Sequence, residues 1–211
     1  LGPSRDAVSG VSTHLNQLFS SSLASQVRLI HFQVGSEGRK ESKPGKLLRL
    51  VASPLQLMGA IFRARAQIVH INTSMEAKAY WRDLAYLLVA KLLRRRVVYQ
   101  VHGGALPQDF FAGKPLLAAL LHRVLRLPDL VVLLAQQELQ AYRAFDPALP
   151  LSVIANAIDL PPDPAYKMTA TAGPLSIAYV GRLSAEKGLF ELVEAAAEVV
   201  RAGRLLTATI A

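Results

Sequence analysis

The sequence predicts an α/β protein whose first domain is a doubly wound parallel sheet with helices on both faces. Short apolar runs alternate with segments of helical periodicity, and such alternation requires right-handed βαβ crossovers. A proline-rich stretch then separates this domain from a further strand, loop and helix, which begin a second domain. The composition agrees with this fold class, because 52% of the 211 residues are hydrophobic and 18% are charged. A disordered polycation is thereby excluded.

The strands of the first domain are predicted from short apolar runs bounded by turn-forming or polar residues. They are 27–34 (VRLIHFQV), 67–72 (QIVHIN), 97–102 (VVYQVH), 129–135 (DLVVLLA) and 151–155 (LSVIA).

The helices between these strands are predicted from apolar residues at helical spacing. They cover a stripe from Val11 to Leu23 and the segments 47–65, 76–94, 116–126 and 136–145. Pro54 interrupts the segment 47–65, so two helices or one kinked helix are expected there. The most apolar uncharged run, 50–62, is too short to span a bilayer, and a soluble protein is expected.

Domain boundaries follow from a change in composition after the last strand of the first domain. We expect a first domain over 1–160, a linker over 161–174 and the start of a second domain over 175–211. The linker holds several prolines without periodicity, which is typical of a domain boundary. The chain begins without Met and ends in an apolar run over 205–211. It is therefore predicted to be a fragment that lacks its first strand and most of its second domain.

The charge is strongly basic and unevenly shared. Lys and Arg number 24 against 15 Asp and Glu, which gives a formal net charge of +9, and most of this surplus precedes Ala165. The densest groups lie at 39–49 and 94–96. The group at 94–96 is interpreted as a solvated helix end. The alternative is that it forms, together with the group at 39–49, a patch for anionic lipid headgroups or a phosphorylated acceptor. Aromatic residues are only 7%, which disfavours nucleic-acid binding, and the lack of cysteine excludes thiol chemistry.

The segment YVGRLSAEKG (179–188) has the most informative pattern. A predicted strand ends in glycine, and a short loop with Arg182 leads to a helix with Lys187 in its first turn and Ser184 as a candidate N-cap. A cation at the positive end of a helix dipole is unfavourable by itself. It is explained if Arg182, Lys187 and free backbone N–H groups hold an anion such as a diphosphate. The alternative is a solvated lysine at an ordinary helix start.

Further candidate residues lie where predicted strands end, which is where open α/β sheets bind ligands. His102 and Gly103 follow one such strand, whereas Asn72 and Ser74 follow another and are predicted to cap a helix or to contact an acceptor. His14 either faces solvent or contacts the acceptor or a phosphate. Asn156 and Asp159 are expected to organise the interdomain turn. The remaining histidines, His31, His70 and His122, are interpreted as structural.

The string YVGRLSAEKGLFELVEA resembles the opening of the nucleotide-binding domain in retaining glycosyltransferases of the GT-B fold, glycosyltransferase family four. Three further segments match in the family's order. SGVSTHLNQL (9–18) resembles its glycine loop, VYQVHGG (98–104) its strand-to-loop segment with a histidine, and VIANAIDL (153–160) its motif at the domain boundary. The resemblance implies two Rossmann-like domains, of which the chain holds the first and the initial β-α-β unit of the second.

By this resemblance, the protein transfers a sugar from a nucleotide-diphosphate-sugar donor to a hydroxyl acceptor with retention of configuration. Arg182, Lys187 and Gly10 would hold the donor diphosphate, and His102 would contact the donor sugar and assist transfer. No metal and no cofactor other than the donor co-substrate is expected. Ser9 departs from the family pattern, since it stands where the first of two glycines is usual, and it is a candidate hydrogen-bonding contact.

The acceptor implied is a glycan or a lipid-linked or anionic molecule, as in polysaccharide biosynthesis, and the location is cytoplasmic, extending to the periphery of the inner membrane face. The family's two-glutamate donor motif would lie beyond residue 211, so the fragment alone is expected to be inactive. Two alternatives stay open: a GT-B-fold sugar-nucleotide epimerase or hydrolase, and a non-catalytic basic module that binds membrane surfaces. A dinucleotide oxidoreductase is disfavoured, because no G-x-G-x-x-G follows a predicted strand.

Overall fold

The computed structural model of the protein describes residues 1–36, 42–157, 175–181, 183 and 185–210. The chain forms two compact units, Leu1–Ile158 and Asp159–Ala211.

The first unit is built on a parallel sheet of four strands in the order β1-β2-β3-β4. These strands are β1 (Ile68–Met75), β2 (Arg96–Gly104), β3 (Leu130–Leu133) and β4 (Leu151–Val153). Each matches a predicted strand, so the parallel α/β architecture is confirmed.

The strand predicted over 27–34 is wrong for most of its length. Among the described residues, its pairing is limited to a parallel bridge between Gly2 and Gln33. Leu1 in turn accepts a hydrogen bond from the backbone N–H of Asn72 in β1, at 3.1 Å. The backbone of Gly2 supplies both hydrogen bonds of this bridge, to Phe32 O at 3.3 Å and from Val34 N at 2.8 Å, and the described residues before Phe32 in this segment have no strand pairing.

Seven helices of the first unit flank this sheet among the residues described. They are α1 (Gly10–Ser20), α2 (Leu23–Gln26), α3 (Lys43–Ala64), α4 (Ala77–Leu92), α5 (Pro107–Phe110), α6 (Pro115–Leu125) and α7 (Gln136–Phe145). The last of these coincides with its predicted bounds.

Helix α3 runs through Pro54 without interruption, so the expectation of two separate helices is wrong. Proline removes one backbone hydrogen bond from a helix, and tertiary contacts directly before Pro54 and on the two turns after it stabilise α3 in compensation. Ser53 Oγ lies 2.8 Å from the Tyr86 hydroxyl of α4, and Leu57 and Ile61 are buried in the core. By length and composition alone, α3 is also long and apolar enough to cross a membrane, a test that core helices of soluble proteins also pass.

The two faces of the β1–β2 pair differ in polarity. One face carries buried apolar or aromatic side chains, such as Ile71 and Tyr99, that belong to the hydrophobic core. The opposite face carries His70, Asn72 and Gln100, which are largely or fully buried polar residues. This polar face lies beneath α1, and it continues into the candidate site.

The second unit contains a parallel pair, β5 (Leu175–Tyr179) and β6 (Leu206–Ile210), connected through α8 (Leu189–Arg201). The predicted strand-loop-helix-strand order is therefore present among its described residues. The α-helix begins after Gly188, whose φ of 72° places it in the left-handed region. Lys187 accordingly ends a short 3₁₀ turn that precedes the helix, rather than lying in the first α-helical turn, and Ser184 lies outside the described residues.

Asp146 joins the ends of α6 and α7. Its carboxylate is buried and accepts two hydrogen bonds from Arg126, from Nε at 2.6 Å and from Nη2 at 3.0 Å. The Ala148 N–H donates to it at 3.0 Å, and His122 Nδ1 lies 3.4 Å away. The Arg126 hydrogen bonds in particular lower the pKa of Asp146 well below its ordinary value.

We predict that Asp146→Asn lowers the free energy of unfolding at pH 7 and flattens its decline in acid. A carboxyl group with a lowered pKa in the folded state stabilises the fold above its ordinary pKa of about 3.9, and that stability is lost as the pH falls. Urea denaturation between pH 7 and pH 2 measures both effects. The exposed Asp109→Asn is the control, and an equally steep acid decline in Asp146→Asn would contradict the assignment.

Candidate active site

The candidate site lies where β1 and β2 end next to each other. In an open parallel sheet, ligands bind outside the carboxyl ends of the strands. At this edge the structure brings together His102 and Gly103 from β2, Ser74 from β1, and His14 from α1. These are four of the residues singled out from the sequence.

Asn72 fixes the protonation pattern of His102. Its Nδ2 donates to the Leu1 carbonyl at 2.9 Å, so its Oδ1 faces His102, where it lies 2.9 Å from Nε2. An amide oxygen can only accept a hydrogen bond, and Nε2 of His102 therefore carries the proton. On a neutral ring, Nδ1 is then left as a hydrogen-bond acceptor.

The His102 ring is neutral at physiological pH. Burial, together with a smaller contribution from the nearby His14, lowers the pKa of His102 to about 4. A neutral imidazole with a free lone pair accepts a hydrogen bond from a hydroxyl group. The site thus presents a hydrogen-bond acceptor, His102 Nδ1, that stays unprotonated at pH 7.

His14 packs against His102 rather than facing solvent. The two ring centroids lie 4.9 Å apart in an edge-to-face arrangement with an interplanar angle of 63°. His14 is partly buried, and its Nε2 has no hydrogen-bond partner among the described residues. Burial lowers the pKa of His14, and an interaction with Gln100 partly opposes that effect. The alternative of a solvated helix face is therefore wrong, whereas a contact with acceptor or phosphate stays a prediction.

Sequence reasoning missed Gln100 and treated His70 as a core residue. Gln100 is buried, and its Oε1 accepts a hydrogen bond from His70 Nε2 at 3.0 Å. Burial lowers the pKa of His70 to about 4. The signal was available in the sequence: positions 70 and 72 of one strand and 100 and 102 of the next are all polar, and a period of two places each pair on one face.

Ser9 caps α1 with its side chain. Ser9 Oγ accepts from the Ser12 N–H at 3.3 Å and lies 3.0 Å from Ser12 Oγ. Since the Ser12 hydroxyl donates to the Ser4 carbonyl at 2.7 Å, the Ser9 hydroxyl must donate to Ser12. Its only proton is thus committed to Ser12. A contact with an ionised phosphate, which only accepts, would replace this hydroxyl–hydroxyl hydrogen bond but would leave the cap itself in place.

Gly10 begins α1 and is exposed, with open space where a side chain would stand. Its predicted role beside the donor phosphates remains a prediction. Ser74, by contrast, does not cap α4. It lies within β1, and the N-cap position belongs to Glu76, because pairing with β2 carries β1 beyond residue 72 to Met75.

The remaining predicted residues lie in the second unit, after β4 or outside the described residues, and their roles stay predictions. Lys187 is exposed on its 3₁₀ turn in the second unit, and Arg182 lies outside the described residues. Asn156 is exposed after β4, and Asp159 also lies outside the described part of the chain. Within that part, no group of three or more His, Asp or Glu side chains is arranged to hold a metal ion.

Gly103 and Gly104 both adopt positive φ angles, of 82° and 104°, but their surroundings differ. A Cβ at residue 104 would lie 2.7 Å from backbone atoms of Met75, whereas one at residue 103 would meet nothing within 4 Å. Gly104 therefore permits the close approach of β1 and β2, and Gly103 leaves open space beside His102.

We predict that Gly103→Ala costs about 1–2 kcal/mol of stability, from the left-handed backbone alone. Gly104→Ala should cost clearly more, because the Met75 backbone has to move as well. Urea denaturation of the two variants measures the difference. Equal losses would show that the contact with Met75 is not a constraint.

We predict that ¹H–¹⁵N spectra at pH 7 show His102 as the Nε2–H tautomer, with a titration midpoint near pH 4. Asn72→Ala should release the tautomer preference, whereas Asn72→Asp keeps an acceptor opposite Nε2 and raises the pKa of His102 through its negative charge. A His102 ring that titrates near its ordinary pKa of about 6.5 in the folded protein would contradict the assignment.

Comparison with known families supports the resemblance noted in the sequence. Residues 14–157 match a family described as a glycosyl transferase 4-like domain, and no curated protein matches the chain. The matched region contains β1 to β4 together with His14, Asn72 and His102. Because it covers more than half of the 211 residues, the chain belongs to the glycosyl transferase 4-like family, and its α/β fold is that of a glycosyltransferase domain.

Proposed function

We propose that the chain is the acceptor-side domain, with the start of the donor-side domain, of a retaining glycosyltransferase. Such an enzyme transfers a sugar from a nucleotide-diphosphate donor to a hydroxyl group of a glycan or a lipid-linked acceptor. The observation that carries the proposal is the neutral His102 imidazole. Asn72 holds this ring at the sheet edge with its Nδ1 lone pair unprotonated.

His102 is suited to contact a sugar hydroxyl. In this proposal its Nδ1 accepts a hydrogen bond from the donor sugar, and the open space beside Gly103 lets the sugar approach the backbone. Because the pKa of His102 is low, its Nδ1 stays unprotonated at neutral pH and can accept this hydrogen bond. The Asn72 side chain donates to the Leu1 carbonyl and accepts from His102. We therefore assign Asn72 a role in positioning His102 rather than in contacting the acceptor substrate.

The donor diphosphate is assigned to Arg182, Lys187 and the N-terminus of α1 at Gly10. As the bond to the sugar breaks, negative charge develops on the leaving diphosphate, and two cations with backbone N–H groups stabilise it. This assignment requires no metal and no cofactor other than the donor. The exposed position of Lys187 leaves its ammonium group accessible to a ligand.

The assignment predicts that the protein carrying this chain binds a nucleoside diphosphate in calorimetry with UDP, GDP or ADP. The Arg182→Ala/Lys187→Ala double variant should bind at least about a hundredfold more weakly, because each of the two charge-assisted contacts contributes about 1.5–3 kcal/mol. The matched control is Arg201→Ala/Arg204→Ala, which removes two exposed cations from the same unit. Absence of nucleotide binding, or equal losses in both double variants, would overturn the diphosphate assignment.

Sugar transfer by the protein that carries this chain, measured as turnover, tests the role of His102. His102→Ala should lower the rate by about ten- to a hundredfold, the effect of losing one hydrogen bond in a water-excluded site, whereas His122→Gln should leave it nearly unchanged. The product anomer reports retention. A free sugar product would favour the epimerase or hydrolase alternative. The isolated 211-residue chain is expected to show no turnover, and turnover by it would contradict that part of the proposal.

A further inference from the structure

Helix α3 exposes a continuous apolar stripe. At the helical angle of 100° per residue, its outward-facing apolar side chains share a sector about 100° wide. They are Leu47, Leu48, Val51, Leu55 and Phe62, with exposed fractions of 66, 72, 68, 64 and 57%. Single exposed apolar residues are ordinary, but a contiguous apolar patch marks an interaction surface.

The same helix is anchored to the domain by its other side. Leu57 and Ile61 are 2% exposed within the core, and Ser53 is tied to Tyr86 of α4 by a buried hydrogen bond. A helix packed in this way cannot cross a bilayer while the domain is folded. Its outward stripe can, however, enter a membrane interface with the helix axis parallel to the surface.

The charges beside this stripe have one sign. A groove of about 720 Å³ lies between α3 and α4. Among the described residues that line it, the charged ones are cationic, namely Lys46, Arg49, Lys78 and Arg82. Arg82 is paired with the buried Asp83 through two hydrogen bonds, of 2.7 and 2.8 Å, so the proposal below depends on the two lysines. Trp81, the only tryptophan of the chain, also lines the groove and is 46% exposed. Indole side chains favour the headgroup level of a bilayer.

We propose that the outward stripe of α3 and the adjacent cationic groove dock the protein on an anionic lipid bilayer. The apolar stripe enters the interface, and the side chains of Lys46 and Lys78 contact phosphate groups of the lipids. Charge complementarity favours this occupant, since the groove pairs an apolar floor with cations and lacks any acidic lining residue among those described. The proposal does not depend on the identity of the donor nucleotide.

The test uses the full chain and vesicles of phosphatidylcholine alone or mixed equally with phosphatidylglycerol. Wild-type protein should float with the mixed vesicles, and Trp81 emission should shift to shorter wavelength. Leu48→Asn/Val51→Asn/Leu55→Asn should weaken binding by about tenfold or more, because apolar burial is lost. Lys46→Gln/Lys78→Gln should remove most of the preference for anionic vesicles, by about tenfold.

The matched control is Leu92→Asn/Leu116→Asn, which alters two apolar residues on α4 and α6 that are 78 and 85% exposed. It should bind vesicles like the wild type. Circular dichroism tests whether each variant is folded. If the triple α3 variant is unfolded, the vesicle binding of Lys46→Gln/Lys78→Gln decides the test. No flotation with anionic vesicles, or equal losses in the control, would overturn the proposal. A stable dimer broken by the α3 variant, without vesicle binding, would overturn it in favour of an interface between copies of the chain.

Discussion

A buried polar layer on one face of β1 and β2 is the constraint on which the first unit depends. Polar groups removed from water are stabilised by partners within the protein, and here most of them pair across the strands, His70 with Gln100 and Asn72 with His102. Among the described residues, Gln100 Nε2 is left without a hydrogen-bond partner. The opposite face is apolar and belongs to the hydrophobic core. A shift of one residue would exchange the two faces, so one register determines both the core and the geometry of the site.

The contact between His14 and His102 links two elements that are distant in sequence. His14 belongs to the helix that Ser9 caps and Gly10 begins, whereas His102 ends the second strand. Burial lowers the pKa of both rings, which favours the uncharged forms that pack edge to face without charge repulsion. The contact thus ties helix α1 to the end of β2.

Sequence patterns predicted correctly the elements whose stability depends on residues nearby in the chain. Helix α7 matched its predicted bounds, and the Glu138 side chain stabilises its first turn by accepting from the N–H groups of Leu134 and Ala135. The strand over 27–34 failed because pairing depends on a partner elsewhere in the chain. Ser74 was taken as a cap because the apolar run ends at residue 72, although hydrogen bonding to β2 continues to Met75. Individual site residues were identifiable from strand ends, but the His14–His102 contact and the role of Gln100 depend on how α1 crosses the sheet.

Helix α4 begins two residues after β1 ends, so its first turn lies between the sheet edge and the groove. Ala77 and Lys78 line that groove, and Met75 closes the strand that carries Asn72. A bilayer docked on the groove would therefore lie next to the start of α4, which follows the end of β1 at the sheet edge that also carries His102. An acceptor anchored in the leaflet would then reach the enzyme by lateral diffusion, a search in two dimensions, and its hydrocarbon tail would never need to leave the membrane.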